Sequence, residues 1–330
     1  MTIADVLIIG GGPAGLATAT ALARQLYRTI VFDSGVYRNA PTSHMHNVLG
    51  WDHRDPADFR AKARDDLAAR YAGIVEFRRG SKSGRVDSVA FDEGRKLFRA
   101  VDAEGQRWWG RKLVLAMGVS DVFPPVEGYG DVWGRGVYQC LFCDGYESRG
   151  APSSGVLAIQ DVAQPQVALH LARMALRLSE SVTIYTDGNI DVQTQLGDIL
   201  RSSTTHNDKR IKIDNRTVTR LAKQSPTGQG VQVHLADGSV VEEGFVVHKP
   251  RTKINGPFVE QLGVETTDAG VINVTPPFNE TSVKGVFAIG DCASMVPAVA
   301  NAIAMGVYAA GGLTAQLQSE NVPELSEENL

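Results

Sequence analysis

The most chemically informative residues in the sequence are Cys140 and Cys143, which are separated by two residues and followed directly by Asp144. Two thiols at this spacing can close a short disulfide ring, and a thiolate is the attacking species in disulfide exchange. A helix that begins near Cys143 would favour its thiolate, and Asp144 with Gly145 would permit such a start. Asp144 can also carry the proton that moves during exchange. We predict redox catalysis by Cys140, Cys143 and Asp144; inert thiols and a merely capping aspartate are the alternatives.

The third cysteine argues against a zinc site at this pair. Three cysteines in the chain are too few for a disulfide framework, and Cys292 has no histidine near it in sequence. A structural zinc site would need a second such pair or two close histidines. We expect Cys292, which lies in an apolar run, to be a thiol of the core or beside a cofactor.

A histidine-rich loop follows the second predicted strand and permits several interpretations. His44 and His46 are spaced by two, a pattern compatible with metal binding, but a metal needs more ligands and His53 is an uncertain third candidate, so no metal site is expected. Ordinary polar contacts are one alternative. The other is a loop that borders a bound cofactor, with Asn47 or a histidine donating a hydrogen bond to it.

A glycine-rich turn near the start of the chain predicts dinucleotide binding. Gly10, Gly12 and Gly15 follow an apolar strand and open a helix, and Asp33 ends the next strand. Gly10 permits the tight turn, Gly12 lets the backbone approach a pyrophosphate at the helix N-terminus, and Gly15 allows close helix–strand packing. Asp33 can accept a hydrogen bond from an adenosine ribose.

A carboxylate at the end of a later strand distinguishes FAD from NAD. The segment 285–291 reads G-V-F-A-I-G-D and places Asp291 where the ribityl or phosphate end of a flavin needs a contact. With the fingerprint this favours FAD as cofactor, although Asp291 could instead cap the following helix. The expected cofactor contacts lie on the turns after these strands, and they are Gly10, Gly12, Pro13, Ala14, Gly15, Asp33, Ser34, Asn47, Gly118, Gly290 and Asp291.

The order of predicted strands and helices gives the fold class. The opening strand–helix–strand plan recurs in the middle of the chain, and the C-terminal segment returns to the first domain. We predict an α/β fold of two Rossmann-like domains of the FAD/NAD(P)-binding type, the second inserted into the first. The first comprises residues 1–120 and 250–330, and residues 121–249 form the second and carry the cysteine pair. Within the first domain we expect two separate strands, at 107–109 and 112–117.

The charge and hydropathy pattern excludes several partners. The formal net charge is −4 and no basic block is long enough to follow a phosphate backbone, so nucleic acid is not expected. No apolar run approaches the roughly 20 residues that span a bilayer, and the first residues lack the features of a signal peptide. We therefore expect a cytoplasmic protein that does not associate with membranes.

Three motifs together resemble the low-molecular-weight thioredoxin reductase family. They are the turn at 10–15, C-L-F-C-D-G at 140–145 and G-V-F-A-I-G-D at 285–291. The resemblance covers nearly the whole chain and implies a homodimer with an interrupted FAD domain. It also implies that Cys143 lies against the flavin, that Cys140 exchanges with substrate and that Asp144 is the acid–base group.

The sequence departs from those reductases where NADPH should bind. After the strand predicted at 155–160 no glycine occurs until Gly188, and Asp161 places negative charge where a pyrophosphate would sit. Asp187 stands where the reductases carry arginines for the 2′-phosphate. In place of the family's Arg-Gln-Ala stretch before the last helix, the chain has Val299, Ala300 and Asn301.

With these departures, three phrases resemble the gliotoxin-type dithiol oxidases of fungal epidithiodiketopiperazine biosynthesis. They are F-D-S-G-V-Y-R-N at 32–39, H-N-V-L-G-W-D-H-R at 46–54 and C-L-F-C-D-G-Y-E at 140–147. The resemblance implies a small cyclic dipeptide dithiol as substrate, dioxygen as acceptor and hydrogen peroxide as product. Gln139 stands where the gliotoxin enzyme has a histidine. The alternatives are an NADPH-dependent thioredoxin reductase and a flavin-carrying regulatory protein with vestigial chemistry.

Overall fold

A computed structural model describes residues 3–225 and 230–320. The strands are, in chain order, β1 (Ile3–Ile9), β2 (Thr29–Asp33), β3 (Val75–Arg79), β4 (Val86–Asp92), β5 (Leu97–Asp102), β6 (Arg107–Leu115), β7 (Val119–Val122), β8 (Val137–Tyr138), β9 (Ser154–Leu157), β10 (Val182–Tyr185), β11 (Ile211–Asp214), β12 (Val218–Lys223), β13 (Val231–Leu235), β14 (Val240–Glu243), β15 (Val246–Val247), β16 (Arg251–Ile254) and β17 (Val286–Ala288). The α-helices are α1 (Pro13–Ala23), α2 (Pro56–Arg70), α3 (Tyr129–Val132), α4 (Pro165–Ala175), α5 (Ile190–Ser202), α6 (Phe258–Leu262) and α7 (Val299–Ser319).

The chain divides into two compact units, each formed from discontinuous segments. The first comprises residues 1–40, 54–120 and 253–330, and the second comprises 41–53 and 121–252. The sequence interpretation placed 41–53 in the first domain. The structure groups this loop with the second unit because its side chains hydrogen-bond to the cysteine segment there.

The first unit is built on a sheet in the order β3-β2-β1-β6-β5-β4, with β17 also paired to β6. Strands β3, β2, β1, β6 and β17 are parallel, whereas β5 pairs antiparallel with both β6 and β4. The run Val6–Ile9 is almost fully buried, as expected for a parallel strand covered on both faces. Helix α1 packs against α7, and a Cβ on Gly306 would lie 2.5 Å from the Ala14 carbonyl oxygen, so glycine there permits the close approach.

Strand β6 corrects one prediction, because 107–109 and 112–117 are not separate strands. They form a single strand, Arg107–Leu115, that runs through Gly110. The first half of β6 pairs with β5 and the second half with β17, while β1 lies along its other edge. A Cβ on Gly110 would lie 2.6 Å from Leu7 Cγ, so this glycine serves close packing on β1 rather than a turn.

The second unit repeats the strand–helix–strand plan. Its parallel sheet has the order β11-β10-β9-β15-β8, and a separate antiparallel sheet has the order β12-β13-β14. The segment β9-α4-β10 is the repeated unit, with the apolar face of α4 buried against the sheet. Together the two units confirm the predicted fold class of paired Rossmann-like domains. Within 3–225 and 230–320, none of the helices is long and apolar enough to cross a membrane.

Candidate active site and cofactor-binding turns

At two of the three fingerprint glycines in the turn after β1, the protein's own backbone leaves no room for a side chain. Gly10 has φ 119°, and a Cβ there would lie 2.2 Å from the Ala116 carbonyl oxygen. A Cβ on Gly15 would lie 2.0 Å from the Gly10 carbonyl oxygen. Both positions therefore exclude a side chain because backbone approaches them from within the unit.

The third position, Gly12, is different and tests whether the turn fits FAD. Gly12 has ordinary extended backbone angles, and a Cβ there would meet no atom within 4 Å. No side chain caps α1, and Pro13 occupies its first turn. The N-terminal end of this eleven-residue helix therefore faces open space with uncapped donors, an arrangement that suits a pyrophosphate. The residues present fit the phosphate portion of FAD.

At the end of β2, the carboxylate of Asp33 is held by residues of its own unit. It accepts from the Tyr37 hydroxyl at 2.6 and 2.7 Å and from the backbone N–H of Gly35 at 3.1 Å. Burial, followed by the Asp33 carboxylate, raises the pKa of Tyr37 to about 12. Ser34 Oγ accepts from the backbone N–H of Val36. The predicted contacts of Asp33 and Ser34 with the cofactor stay predictions.

Two residues near these turns were not identified from sequence. A Cβ on Gly11 would lie 2.3 Å from Asp33 Cγ, so this glycine makes room for the carboxylate at the next strand end. Arg38 donates from Nη1 to Asp291 Oδ2 at 2.9 Å, and both groups are largely buried. The role of Gly11 could have been predicted from Asp33, the acid at the end of the next strand, which packs against this turn. Nothing in the sequence pairs Arg38 with Asp291.

After β17, Asp291 lies in a 3₁₀ turn, Gly290–Ala293. Helix α7 begins later, with Ala298 at its N-cap, so Asp291 does not cap it and that alternative is wrong. A Cβ on Gly290 would approach Ala14 Cβ at 3.2 Å, which brings this turn against the fingerprint helix. Gly118, at φ 65°, follows β6 and has open space where a Cβ would be. Cofactor contacts by these residues stay predictions.

The cysteine pair forms a closed disulfide in a tight turn. The Cα atoms of Cys140 and Cys143 are 5.2 Å apart, and the backbone N–H groups of Cys143 and Asp144 both donate to the Cys140 carbonyl oxygen. The turn leads into a 3₁₀ segment, Tyr146–Ser148, and no α-helix begins at Cys143 in this described stretch. The helix start that Asp144 and Gly145 would permit is not formed there, so a helix dipole does not favour the Cys143 thiolate.

Loop 41–53 supplies two side chains to the disulfide turn. His46 Nδ1 donates to the Cys143 carbonyl oxygen at 2.5 Å, and Asn47 Nδ2 donates to the Phe142 carbonyl oxygen at 2.7 Å. Asn47 has a left-handed backbone, φ 61°, which asparagine adopts more readily than most residues. The structure thus places Asn47, predicted as a cofactor contact, on the backbone of the dithiol segment. Its contact with FAD stays a prediction.

The Asp144 carboxyl is poised for proton transfer near neutral pH. Burial raises its pKa from 3.8 to about 6; the charge of His46 opposes this shift and that of Glu147 adds to it. An acid–base group is most effective when its pKa lies near the working pH. Beside a disulfide, such a carboxyl can donate a proton to a cysteine sulfur when the disulfide opens. It can accept a proton when the two thiols close the disulfide again.

We expect Asp144→Asn to stabilise the folded protein at neutral pH. A raised pKa means that the folded state binds the Asp144 proton more tightly between about pH 4 and 6, so the free energy of unfolding falls as pH rises through that range. The asparagine removes this penalty, a gain of about 1–2 kcal/mol near pH 7.5 after allowance for partial exposure. Urea unfolding with excess FAD near pH 7.5 and near pH 4 measures it. Equal stability of variant and parent at both pH values would contradict the assignment.

Cys292 is confirmed as a core thiol. It is fully buried, its S–H contacts the carbonyl oxygens of Ile289 and Leu115, and burial raises its pKa to about 12. A thiol of this kind is unreactive at neutral pH. The redox role predicted for Cys140 and Cys143 stays a prediction that Cys292 does not compete with.

The second unit lacks a phosphate-binding turn after β9. A 3₁₀ turn, Gln160–Ala163, occupies that position and buries Val162. Asp161 accepts from Arg251 Nε at 3.0 Å, and Asp187, after β10, accepts from the backbone N–H of Val218 at 2.7 Å. Side chains and structural hydrogen bonds thus replace the bare backbone that a pyrophosphate needs.

A dinucleotide fingerprint in one unit and a closed dithiol beside a half-buried carboxyl in the other define a flavin-type disulfide oxidoreductase. Comparison with known proteins agrees with that class. Residues 4–306 match the pyridine nucleotide-disulphide oxidoreductase model, so the chain belongs to this family. The family consists of FAD flavoproteins, which confirms FAD as the cofactor.

Curated relatives and solved structures cover almost the full chain. Thioredoxin reductase aclD of Aspergillus oryzae is 44% identical, with 95% of this chain and 96% of the relative aligned. Thioredoxin reductase sirT of Leptosphaeria maculans is 39% identical over 96% of this chain and 94% of its own length. The structure of an oxidoreductase from Agrobacterium tumefaciens superposes with a TM-score of 0.80 at 28% identity and covers 97% of this chain and 100% of that one. These likenesses confirm the predicted thioredoxin reductase-like character.

Proposed function

We propose that this oxidoreductase converts a small-molecule dithiol of the epidithiodiketopiperazine type into a disulfide, with dioxygen as acceptor and hydrogen peroxide as product. The relatives of highest identity described above come from fungi, which supports a role in fungal secondary metabolism. The closed Cys140–Cys143 pair supplies the oxidant for a substrate dithiol.

The observation that carries the direction of electron flow is the turn after β9. An NADPH-driven reductase needs a backbone cradle for the pyrophosphate in the second unit, but Val162 is buried there and Asp161 carries negative charge. The guanidinium of Arg251 could otherwise contact a phosphate, but it forms an ion pair with Asp161. Electrons therefore enter from the substrate thiols rather than from a nicotinamide.

The atoms and electrons of this reaction balance without a nicotinamide. Two substrate S–H groups lose two protons and two electrons and form one S–S bond, while the Cys140–Cys143 bond breaks and both cysteines become thiols. Asp144 donates a proton to the Cys143 sulfur as the disulfide opens and takes one back as it closes. Dioxygen takes the two electrons and two protons to give hydrogen peroxide, and the Cys140–Cys143 bond forms again.

The first unit holds the cofactor in this proposal. The turn Gly10–Gly15 receives the pyrophosphate, and Asp33 and Asp291 contact the ribose and ribityl regions. When bound, FAD supplies the two-electron carrier between the cysteine pair and dioxygen. By resemblance, Cys143 faces the flavin and Cys140 exchanges with substrate.

Anaerobic mixing of the holoenzyme separately with NADPH and with a cyclic dipeptide dithiol tests the proposal. We expect the dithiol to bleach the flavin absorbance, air to restore it with one hydrogen peroxide per disulfide, and NADPH to have no effect within the same period. Rapid bleaching by NADPH would overturn the proposal and favour the NADPH-dependent thioredoxin reductase, which the names of the curated relatives suggest.

The homodimer is also part of this proposal and rests on the family resemblance alone. Light scattering on the holoenzyme at micromolar concentration tests it. A mass near twice 35.5 kDa is the expected result, and a mass near 35.5 kDa at all concentrations would contradict it.

A further inference from the structure

A cluster of three potential ligands lies in the second unit beside the disulfide turn. His46 Nε2 lies 3.0 Å from His53 Nδ1 and 3.3 Å from Glu147 Oε1, and His53 Nδ1 lies 3.7 Å from the same oxygen. In a tetrahedral zinc site with bonds of about 2.0–2.1 Å, neighbouring ligand atoms are about 3.3–3.4 Å apart. The three separations bracket that value, so the atoms outline one face of a tetrahedron.

The hydrogen bond on the other side of His46 determines which of its nitrogens is free. The Cys143 carbonyl oxygen can only accept, so His46 Nδ1 carries the proton of that 2.5 Å bond. A neutral ring protonated at Nδ1 has its lone pair on Nε2, and this atom faces Glu147 Oε1 and His53 Nδ1. His46 Nε2 is therefore the atom of this ring that can bind a metal.

The ring of each histidine is oriented by a contact outside the cluster. Metal-binding histidines usually donate the N–H of their other ring nitrogen to a carbonyl or carboxylate oxygen, as His46 Nδ1 does to the Cys143 carbonyl oxygen. The His53 ring stacks on His44, with ring centres 4.2 Å apart and planes 4° from parallel. His53 also has a left-handed backbone, φ 56°, and its backbone N–H donates to the Met45 carbonyl oxygen. This hydrogen bond folds the loop back onto His46.

The donor types select the class of metal. Two imidazole nitrogens and one carboxylate oxygen suit Zn²⁺ and similar divalent transition metals, whereas Ca²⁺ and Mg²⁺ prefer oxygen ligands alone. The side chain of His53 is 58% exposed, so a fourth position is open to water. Three protein ligands with an open fourth position are a common zinc arrangement.

We propose that His46, His53 and Glu147 form a binding site for a Zn²⁺-class divalent cation. The cation links loop 41–53 to the segment that follows the cysteine pair. The proposal does not depend on which substrate the cysteine pair oxidises, because it rests on the positions of the three side chains alone.

Zinc titration of the tag-free holoenzyme, with the disulfide kept closed and a chromophoric chelator as competitor, tests the site. A closed disulfide removes the cysteine thiolates as alternative ligands. We expect about one Zn²⁺ per chain, and an affinity that falls at least about tenfold in His53→Ala and in Glu147→Gln. His170→Ala, which removes an exposed histidine on α4, is the matched control and should leave the affinity unchanged.

A second probe makes the geometry itself measurable. Co²⁺ in place of Zn²⁺ should give the intense visible absorbance of a four-coordinate site, and His53→Ala should abolish it while the flavin spectrum shows that the variant is folded. Less than about 0.1 Zn²⁺ per chain would overturn the proposal and leave a hydrogen-bonded histidine–glutamate network. Undiminished binding in both ligand variants, or binding only after reduction of the disulfide, would overturn it as well.

Discussion

Cys143→Ser is expected to lower the turnover of a small dithiol by at least about 10⁴-fold. The closed Cys140–Cys143 bond is the oxidant that the substrate thiols attack, and without Cys143 that bond is absent, so Cys140 is a lone thiol that cannot oxidise the substrate. FAD should stay bound, because the substitution leaves the fingerprint turn Gly10–Gly15 unchanged. Oxygen consumption and flavin absorbance on the same sample measure both effects.

The matched control for this variant is Cys292→Ala. Cys292 is the other thiol of the chain, is fully buried and has a pKa raised to about 12, so its removal should leave dithiol turnover within about twofold of the parent. Substantial turnover by Cys143→Ser would mean that the pair is dispensable. That result would favour the flavin-carrying regulatory protein with vestigial chemistry.

Gly12→Val is expected to abolish flavin binding without unfolding the chain. A side chain at Gly12 meets no protein atom within 4 Å and the backbone angles there are ordinary, so the substitution costs the fold little. The same side chain would fill the space where the pyrophosphate approaches the uncapped start of α1. Loss of one or two charge-assisted hydrogen bonds, about 1.5–3 kcal/mol each, lowers FAD affinity by roughly 10²-fold or more.

Flavin fluorescence after dilution and far-ultraviolet circular dichroism separate binding from folding in this variant. Gly94→Val is the control, because Gly94 lies in an exposed turn with only the flexible Asp92 side chain near its missing Cβ. Gly10→Val, in contrast, should unfold the turn, since its Cβ would collide with the Ala116 carbonyl. Unchanged FAD affinity in Gly12→Val would show that the cofactor does not use this turn.

Features with a local physical cause were predictable from the sequence. The run Val6–Ile9 is apolar throughout because both faces of its strand are covered, and that pattern needs no knowledge of its neighbours. Gly15 is constrained by the carbonyl oxygen of Gly10 in its own turn, and Gly10 has a φ of 119° that favours glycine, so the fingerprint spacing carries the information.

Features set by distant partners were not predictable. Gly110 marks a close approach to Leu7, about a hundred residues away in sequence, and a glycine inside a strand pattern is easily taken for a break. The helix start that the sequence permits at Cys143 is not formed, because Cys143 and Asp144 both bond back to the Cys140 carbonyl in a compact turn. The Arg38–Asp291 pair joins two ends of the first unit that no local pattern connects.

The grouping of loop 41–53 with the second unit limits how that unit can be handled. A contiguous fragment of residues 121–252 would contain the disulfide turn but would lack His46 and Asn47, which bond to its backbone. The dithiol module is therefore not a transplantable cassette. A chimaera that moves this redox centre to another flavoprotein must graft two separate pieces of chain, or circularly permute them into one.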